Sequence, residues 1–263
     1  MRIFYYSLIC NILNLSSGCK RNCQTPMKMS ATLGPLKIIK QKNAVNTGTV
    51  IFFHGSGDTG GGILDWVKFL IGDFTSPHLK FLFPTAPLRP YKPLNGEMSH
   101  VWFDRYDIVP TVPEHQETLA SIDVQIKRLI DGEVANGTAL NKIIVGGFSM
   151  GGALALHTAY RNVPGLAGAF ALSSFLNNES SVYEALQSPS ECHATPFIMF
   201  HGDHDTLVPS AWGEATYKGL KKQGVNGEFH MTSQKQSSPS YDGKKSFDDF
   251  LETTVFTFSI LQC

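Results

Sequence analysis

The chain has 263 residues, 42% of them hydrophobic, and balances 22 Lys and Arg against 22 Asp and Glu, so it carries no formal net charge. That length and apolar content suit one α/β domain with a substantial core, and the charge balance gives no reason to expect nucleic acid or an anionic membrane surface as the main partner. Five cysteines, Cys10, Cys19, Cys23, Cys192 and Cys263, form an odd and scattered set, which argues against a disulfide framework and for a reducing compartment. Cys19 and Cys23 have no second ligand pair at metal-site spacing, so zinc is not expected.

Residues 1–28 begin with an apolar run, Ile3-Phe4-Tyr5-Tyr6 and Leu8-Ile9, that imitates a short signal peptide. Ser7, Asn11 and Asn14 interrupt it, and it is too short to span a bilayer. The segment reads as a disordered or alternative extension, with the folded domain over 29–231 and no membrane-spanning stretch elsewhere. From Thr49 onward, β-branched or aromatic runs alternate with helical periodicities, the mark of a mostly parallel sheet with helices on both faces. Val50 to Phe53 is a buried strand, and Ile63, Trp66, Val67 and Leu70 then fall on one face of a helix. Lys80 to Phe83 is the next strand, ended by Pro84. From there to Pro113 the chain reads as a long loop, long enough to shape a substrate site. Leu119, Ile122, Ile126 and Leu129 mark another helix. Further elements are a strand at 169–173, a strand at 197–201, a helix over 210–223 stopped by Gly224, and a strand at 227–231. A serine-rich stretch over 233–240 reads as a flexible loop.

Gly146-Gly147-Phe148-Ser149-Met150-Gly151-Gly152 sits between the apolar run Ile143-Ile144-Val145 and a helix over 153–159, which places Ser149 on a sharp strand-to-helix turn. Packing this tight leaves no room for side chains at Gly147 and Gly151 and lifts a serine Oγ clear of the sheet, where helix N-terminal amides face developing negative charge. The segment lacks the Lys-Ser/Thr ending of a phosphate-binding loop, and Phe148, Ser149 and Met150 do not fit a dinucleotide fingerprint. A serine nucleophile needs a histidine to take its proton and a carboxylate to orient that histidine. After Ser149 the acid falls in His201-Gly202-Asp203-His204-Asp205, at the carboxyl end of a strand; Asp205 is the first choice and Asp203 the alternative. The same cluster holds metal-ligand residue types, but neighbours on an extended segment point in alternate directions and no distant cluster completes a shell, so no metal is expected. The backbone amides of Ser56, after the first buried strand, and of Met150 are the expected oxyanion donors, and His54 is expected to bond nearby loop backbone.

His54-Gly55-Ser56-Gly57-Asp58-Thr59-Gly60, Pro84-Thr85-Ala86-Pro87, Val101-Trp102-Phe103-Asp104, Gly147-Phe148-Ser149-Met150-Gly151-Gly152, Ala171-Leu172-Ser173-Ser174 and the acid segment, in this order, resemble the acyl-protein thioesterase/carboxylesterase family. The resemblance implies an α/β-hydrolase fold and a cytoplasmic serine hydrolase without cofactor, acting on S-acylated proteins, lysophospholipids or small esters. It implies Ser149 as nucleophile, Asp205 as acid, Ser56 and Met150 as oxyanion donors, and Trp102 and Phe103 near the acyl site. In the family the catalytic histidine follows the last strand and precedes a terminal helix. Here no histidine follows His230, which matches a strand position ahead of the family's catalytic one. His230 is thus the candidate base that chain order leaves, and residues 232–263 read as a divergent, substituted C-terminus in which Phe247, Phe250, Leu251 and Val255 indicate a helix while 256–260 alternates like a strand.

Overall fold

The computed structural model describes residues 32–43, 46–187 and 194–232. All five cysteines, the N-terminal extension, the serine-rich loop and the elements read in the tail lie outside these residues. A seven-stranded sheet forms the centre. In chain order the elements are β1 (Lys37–Ile39), β2 (Gly48–Phe53), α1 (Gly60–Ile71), β3 (Leu79–Phe83), β4 (Leu88–Tyr91), β5 (Glu97–His100), α2 (Gln116–Ala135), β6 (Ile143–Phe148), α3 (Met150–His157), β7 (Gly168–Leu172), α4 (Ser181–Ala185), β8 (Phe197–Gly202), α5 (Ser210–Lys222) and β9 (Gly227–Thr232). The strand order is β1-β3-β2-β6-β7-β8-β9, and only β1 runs antiparallel to its neighbour.

Strands covered on both faces need apolar side chains at every position, which is why β2 and β6 read as continuous apolar runs rather than alternating ones. Ile51, Phe53, Val145, Ala169, Ala171 and Met199 face one core with Leu119, Ile122 and Ile126 of α2 and Leu154 of α3. Val50, Phe52, Phe81, Phe83 and Phe170 face the other with Ile63 and Val67 of α1. Because β2, β6, β7 and β8 are parallel, the loops leaving their carboxyl ends gather along one edge of the sheet, the edge where α/β folds place their ligands. The sequence motifs around His54, Ser149, Ser173 and Asp205 all lie on that edge.

The stretch from Pro84 to Pro113 is more ordered than its composition indicated. It contains the hairpin of β4 and β5, paired from Leu88↔His100 to Tyr91↔Glu97, closed through a short 3-10 turn with Asn95 and Gly96 at φ 53° and 84°. Pro90 obscures the strand pattern, yet a two-stranded ribbon tolerates it because one side of each strand has no ladder to feed. β1 and the single-turn helix α4 also escape periodicity arguments, being three and five residues long.

The tightest packing in the fold is where β2, β6 and α3 meet. A Cβ on Gly151 would run into the carbonyl oxygen of Phe53, and one on Gly147 would lie 2.5 Å from the same oxygen. Both obstacles are backbone, which cannot rotate aside. Gly151→Ala is therefore expected to cost about 3 kcal/mol or more of unfolding free energy. Urea denaturation checks this; a variant with wild-type stability would show that α3 can withdraw from β2.

Candidate active site

Ser149 links β6 directly to α3 and holds φ 52° and ψ −118°. A non-glycine residue there costs about 1–3 kcal/mol, and only over-determined surroundings sustain it. Those surroundings are visible: the Ser149 amide donates to Leu172 O at 2.8 Å, and Gly152 N and Ala153 N return to Ser149 O at 3.0 and 3.3 Å. Ser149 is the N-cap of α3, yet its hydroxyl makes no capping bond. Its Oγ is therefore not consumed by the local backbone, unlike most N-cap serines.

The loop that carries Ser56 follows β2. His54 fixes it: one ring nitrogen donates to Gly55 O at 2.7 Å and Nε2 accepts from Ala86 N at 2.9 Å. Gly57 N bonds His100 O at 3.0 Å, tying the loop to β5. Ser56 Oγ lies 3.7 Å from Met150 Sδ, so the two residues expected to donate to an oxyanion are side by side at the Ser149 turn. Met150 N, the first amide of α3, belongs to the group that a helix leaves without an internal acceptor.

Trp102 and Phe103, expected near the acyl site, are both buried. Trp102 is fully buried, donates Nε1–H to His54 O at 2.8 Å and packs on Phe53 and His54 with ring centroids 5.2 and 4.7 Å apart. It supports the loop that carries Ser56 from behind. Phe103 is also buried, with the Arg105 guanidinium 5.2 Å from its ring centre. Arg105 in turn lies 4.7 Å from the Phe175 ring, and Phe175 meets Trp212 at 5.0 Å. This aromatic and cationic stack joins the loop after β5, the loop after β7 and α5.

Around the end of β8, where the strand gives way to a turn, the four candidate polar side chains separate into two pairs. Asp203 and His204 turn outward and contact each other at 2.5 Å, whereas His201 and Asp205 turn inward with side chains 0% and 1% exposed. Asp205 Oδ1 accepts the amides of Leu207 and Val208 at 3.1 and 2.9 Å. Its Oδ2 is buried and has no hydrogen-bond partner. His201 stands 3.9 Å away but directs Nε2 to Val208 O at 2.7 Å. The geometry thus favours Asp205 over Asp203 as a buried acceptor. Among the described residues no group of three or more His, Cys, Asp and Glu is gathered as a metal ion requires, and no helix is long and apolar enough to cross a membrane.

His230 is not brought to Ser149 or Asp205. It sits in register with Phe200 within the β8–β9 pair, stacks on that ring at 5.0 Å and contacts Glu228 Oε2 at 2.8 Å, with its side chain 45% exposed. Among the described residues, no histidine is hydrogen-bonded to Ser149.

One supporting pair escaped the sequence reading. His157, the last residue of α3, accepts from Arg161 Nε on Nδ1 and lies with Nε2 3.1 Å from the buried Glu114 Oε1, while Glu114 Oε2 accepts from Ser181 N and Oγ at 3.0 and 2.8 Å. Burial alone would raise the Glu114 carboxyl, but the bonds and charge of His157, with Ser180 and Ser181, outweigh it and hold the group well below the usual carboxylate range. The pair clamps the end of the long loop onto α3. Neither residue stands in a motif, so only the fold reveals it.

Two pH effects follow from these contacts. Burial pushes the His54 imidazole down from 6.5 to about 4, more than the Gly55 bond restores. The unfolded chain therefore takes up this proton first, so the stability due to neutral His54 is complete above about pH 6.5 and falls by on the order of 3 kcal/mol as pH drops toward 4. His54→Gln, which keeps an acceptor for Ala86 N, should flatten that part of the urea-unfolding profile; equal slopes in both proteins would contradict it. Glu114 acts at lower pH, since its stabilisation is present above its unfolded value of 4.5 and is lost as acid protonates the folded pair. Glu114→Ala, which leaves the buried His157 Nε2 and Ser181 donors without their acceptor, is expected to cost about 1–3 kcal/mol near neutral pH by the same assay, and wild-type stability would remove the clamp from the account.

Comparison with known proteins agrees with this architecture. A sequence profile of the phospholipase/carboxylesterase family matches residues 35–255. Lysophospholipase-like protein 1 of Mus musculus is 46% identical over 186 residues, which is 70% of this chain and 77% of that protein. Acyl-protein thioesterase 1 homolog 2 of Dictyostelium discoideum is 34% identical over 215 residues, 80% of this chain and 94% of that protein. Among solved structures, acyl-protein thioesterase 2 of Zea mays superposes with a TM-score of 0.67 at 25% identity, covering 83% of this chain and 99% of that one. With its parallel sheet, its serine on the strained turn and a match across most of its length, the chain belongs to the phospholipase/carboxylesterase family of α/β-hydrolases.

Proposed function

We propose that this chain cleaves acyl esters or thioesters by nucleophilic attack of Ser149, with Asp205 as the acid of the site and the amides of Ser56 and Met150 holding the oxyanion. The observation that carries the reading is the strained, uncapped Ser149 at the start of α3, beside Ser56. A substrate carbonyl set against Ser149 Oγ would direct its oxygen at the two amides, and each such donor contributes about 3 kcal/mol in the transition state. The nucleophile, the acid and the two amides named here all come from the chain, and the scheme invokes no cofactor.

The substrate class we propose rests on the relatives, whose names specify lysophospholipase-like and acyl-protein thioesterase proteins. S-acylated proteins, lysophospholipids and small esters share the feature the site reads, an acyl carbonyl with a departing thiolate or alkoxide. A cytoplasmic setting is supported by the odd, scattered cysteines. Trp102 and Phe103 enter the proposal as supports of the site rather than as contacts of the acyl chain.

The placement of His230 sets the expected rate. It could act as base only by leaving Phe200 and Glu228, and a strand residue cannot do this without breaking sheet pairing. Serine hydrolases deprived of one triad member keep about 10³- to 10⁴-fold acceleration over water from the oxyanion hole and binding. We therefore expect hydrolysis of p-nitrophenyl acetate that is slow but depends on Ser149, with a fluorophosphonate probe labelling the wild type and not Ser149→Ala. The same placement favours one other reading, a noncatalytic acyl-binding module. It predicts no turnover, no labelling, and acyl-ligand binding unaffected by Ser149→Ala.

A further inference from the structure

The central sheet ends on two unlike edges. β1, at one edge, has three residues, begins with Lys37 and is followed by Lys40. Short, lysine-flanked edge strands resist pairing with other chains. β9, at the other edge, has six residues, Gly227-Glu228-Phe229-His230-Met231-Thr232, with no lysine and no proline. Among the described residues no strand pairs with its outer side.

The ladder to β8 determines what that outer side presents. Asn226 O accepts from Phe197 N at 3.0 Å and Thr232 O accepts from Asp203 N at 3.2 Å, so the even-numbered positions turn toward β8. Strand alternation then directs the N–H and C=O of Gly227, Phe229 and Met231 away from it. Donors and acceptors at every second residue are a template for one further strand. The side chains divide by the same parity. Phe229 lies on the α5 face, 5.7 Å from the Tyr217 ring, whereas Glu228 and His230 lie on the opposite face, where the imidazole stacks on Phe200 at 5.0 Å.

These side chains select what can pair there. A second β9 laid antiparallel brings outward groups against outward groups only when the two-fold axis passes through a residue position. Centred on Glu228, the pairing sets Glu228 against Glu228, and like charges directly opposite are destabilising. Centred on His230, it sets two imidazoles together and leaves Glu228 opposite Thr232. Centred on Phe229, it sets each Glu228 opposite the His230 of the other copy and Phe229 opposite Phe229. Met231, 47% exposed, then faces Gly227, which has no side chain to obstruct it. Glu228 and His230 fall at the positions without ladder bonds, where facing side chains come closest. Within one chain they already meet at 2.8 Å with both side chains exposed, so in the pair the four groups make a ring of alternating carboxylate and imidazole.

We propose that the outer edge of β9 is a homodimer interface, on which a second copy of this chain lays its own β9 antiparallel, centred on Phe229. The two seven-stranded sheets then run on as one. The same patch serves both copies, as a closed two-fold assembly requires. The interface is independent of the chemistry assigned to Ser149, and it uses His230 where the fold places it, on the sheet edge.

Sedimentation velocity of the full-length chain tests this. An interface of one strand edge is small, so we expect a monomer–dimer equilibrium between about 1 and 200 µM. Glu228→His and His230→Glu each oppose like groups and are expected to raise the dissociation constant about 10-fold. The chain carrying both changes regenerates the pairs and is expected to return to within about 3-fold of wild type. Met231→Pro removes an N–H that points away from β8 and is expected to abolish the dimer, with its urea midpoint reporting that the chain still folds. If that variant does not fold, the exchanged pair decides together with hydrogen exchange followed by NMR on the unsubstituted chain. There the amides of Phe229 and Met231 should slow as concentration rises, while those of Glu228 and His230 do not change. A monomer at every concentration, with fast exchange at Phe229 and Met231, would overturn the proposal. So would a monomer in which those amides are slow throughout, because residues 233–263 of the same chain would then cover the edge. A dimer indifferent to the exchanged pair and to Met231→Pro would place the interface elsewhere and overturn it equally.

Discussion

The close approach of α3 to β2 and β6 is the constraint from which the site follows. With backbone standing where Cβ atoms of Gly147 and Gly151 would be, the chain between them has almost no freedom, and Ser149 is held at φ 52°. An ordinary strand-to-helix connection spends several residues on the change of direction. Here a single residue makes it, and the consequence is a hydroxyl at the end of a buried strand and a helix whose first amides open beside it.

The rest of the carboxyl edge is arranged to keep that turn in place. Leu172 O anchors Ser149 from β7, Phe200 O anchors Ser173 from β8, and Ser173 itself adopts φ 45°. On the other side, His54, Trp102 and His100 fix the loop that carries Ser56 against the same turn. The Glu114–His157 contact secures the far end of α3. These are mutually supporting contacts between parallel strands and the loops that leave them, which is how a fold sustains backbone strain of a few kcal/mol at one functional point.

Much of this was legible in the residues because the strongest local signals coincide with the strongest packing demands. Gly147-Phe148-Ser149-Met150-Gly151 marks the turn since only glycine fits two of its positions, and Val50 to Phe53 marks a strand covered on both faces since no polar residue interrupts it. The hairpin after β3 was hidden because Pro90 and Gly96 read as loop, although proline and glycine are compatible with a two-stranded ribbon and its closing turn. The resemblance alone put Trp102 and Phe103 near the acyl site, and sequence does not show that both would be buried. The Glu114–His157 pair was illegible for a different reason: its partners come from separate elements, and nothing short of the fold brings them together.

On the proposed reading Ser149 is the nucleophile and Asp205 the acid, and an acyl group would pass through Ser149. Peptide mapping by mass spectrometry, after mixing the full chain with an activated short-chain ester, reads that intermediate directly. The account predicts one acyl group, accumulating on the peptide that contains Ser149. Ester turnover with no adduct there, or an adduct confined to another residue, would contradict it.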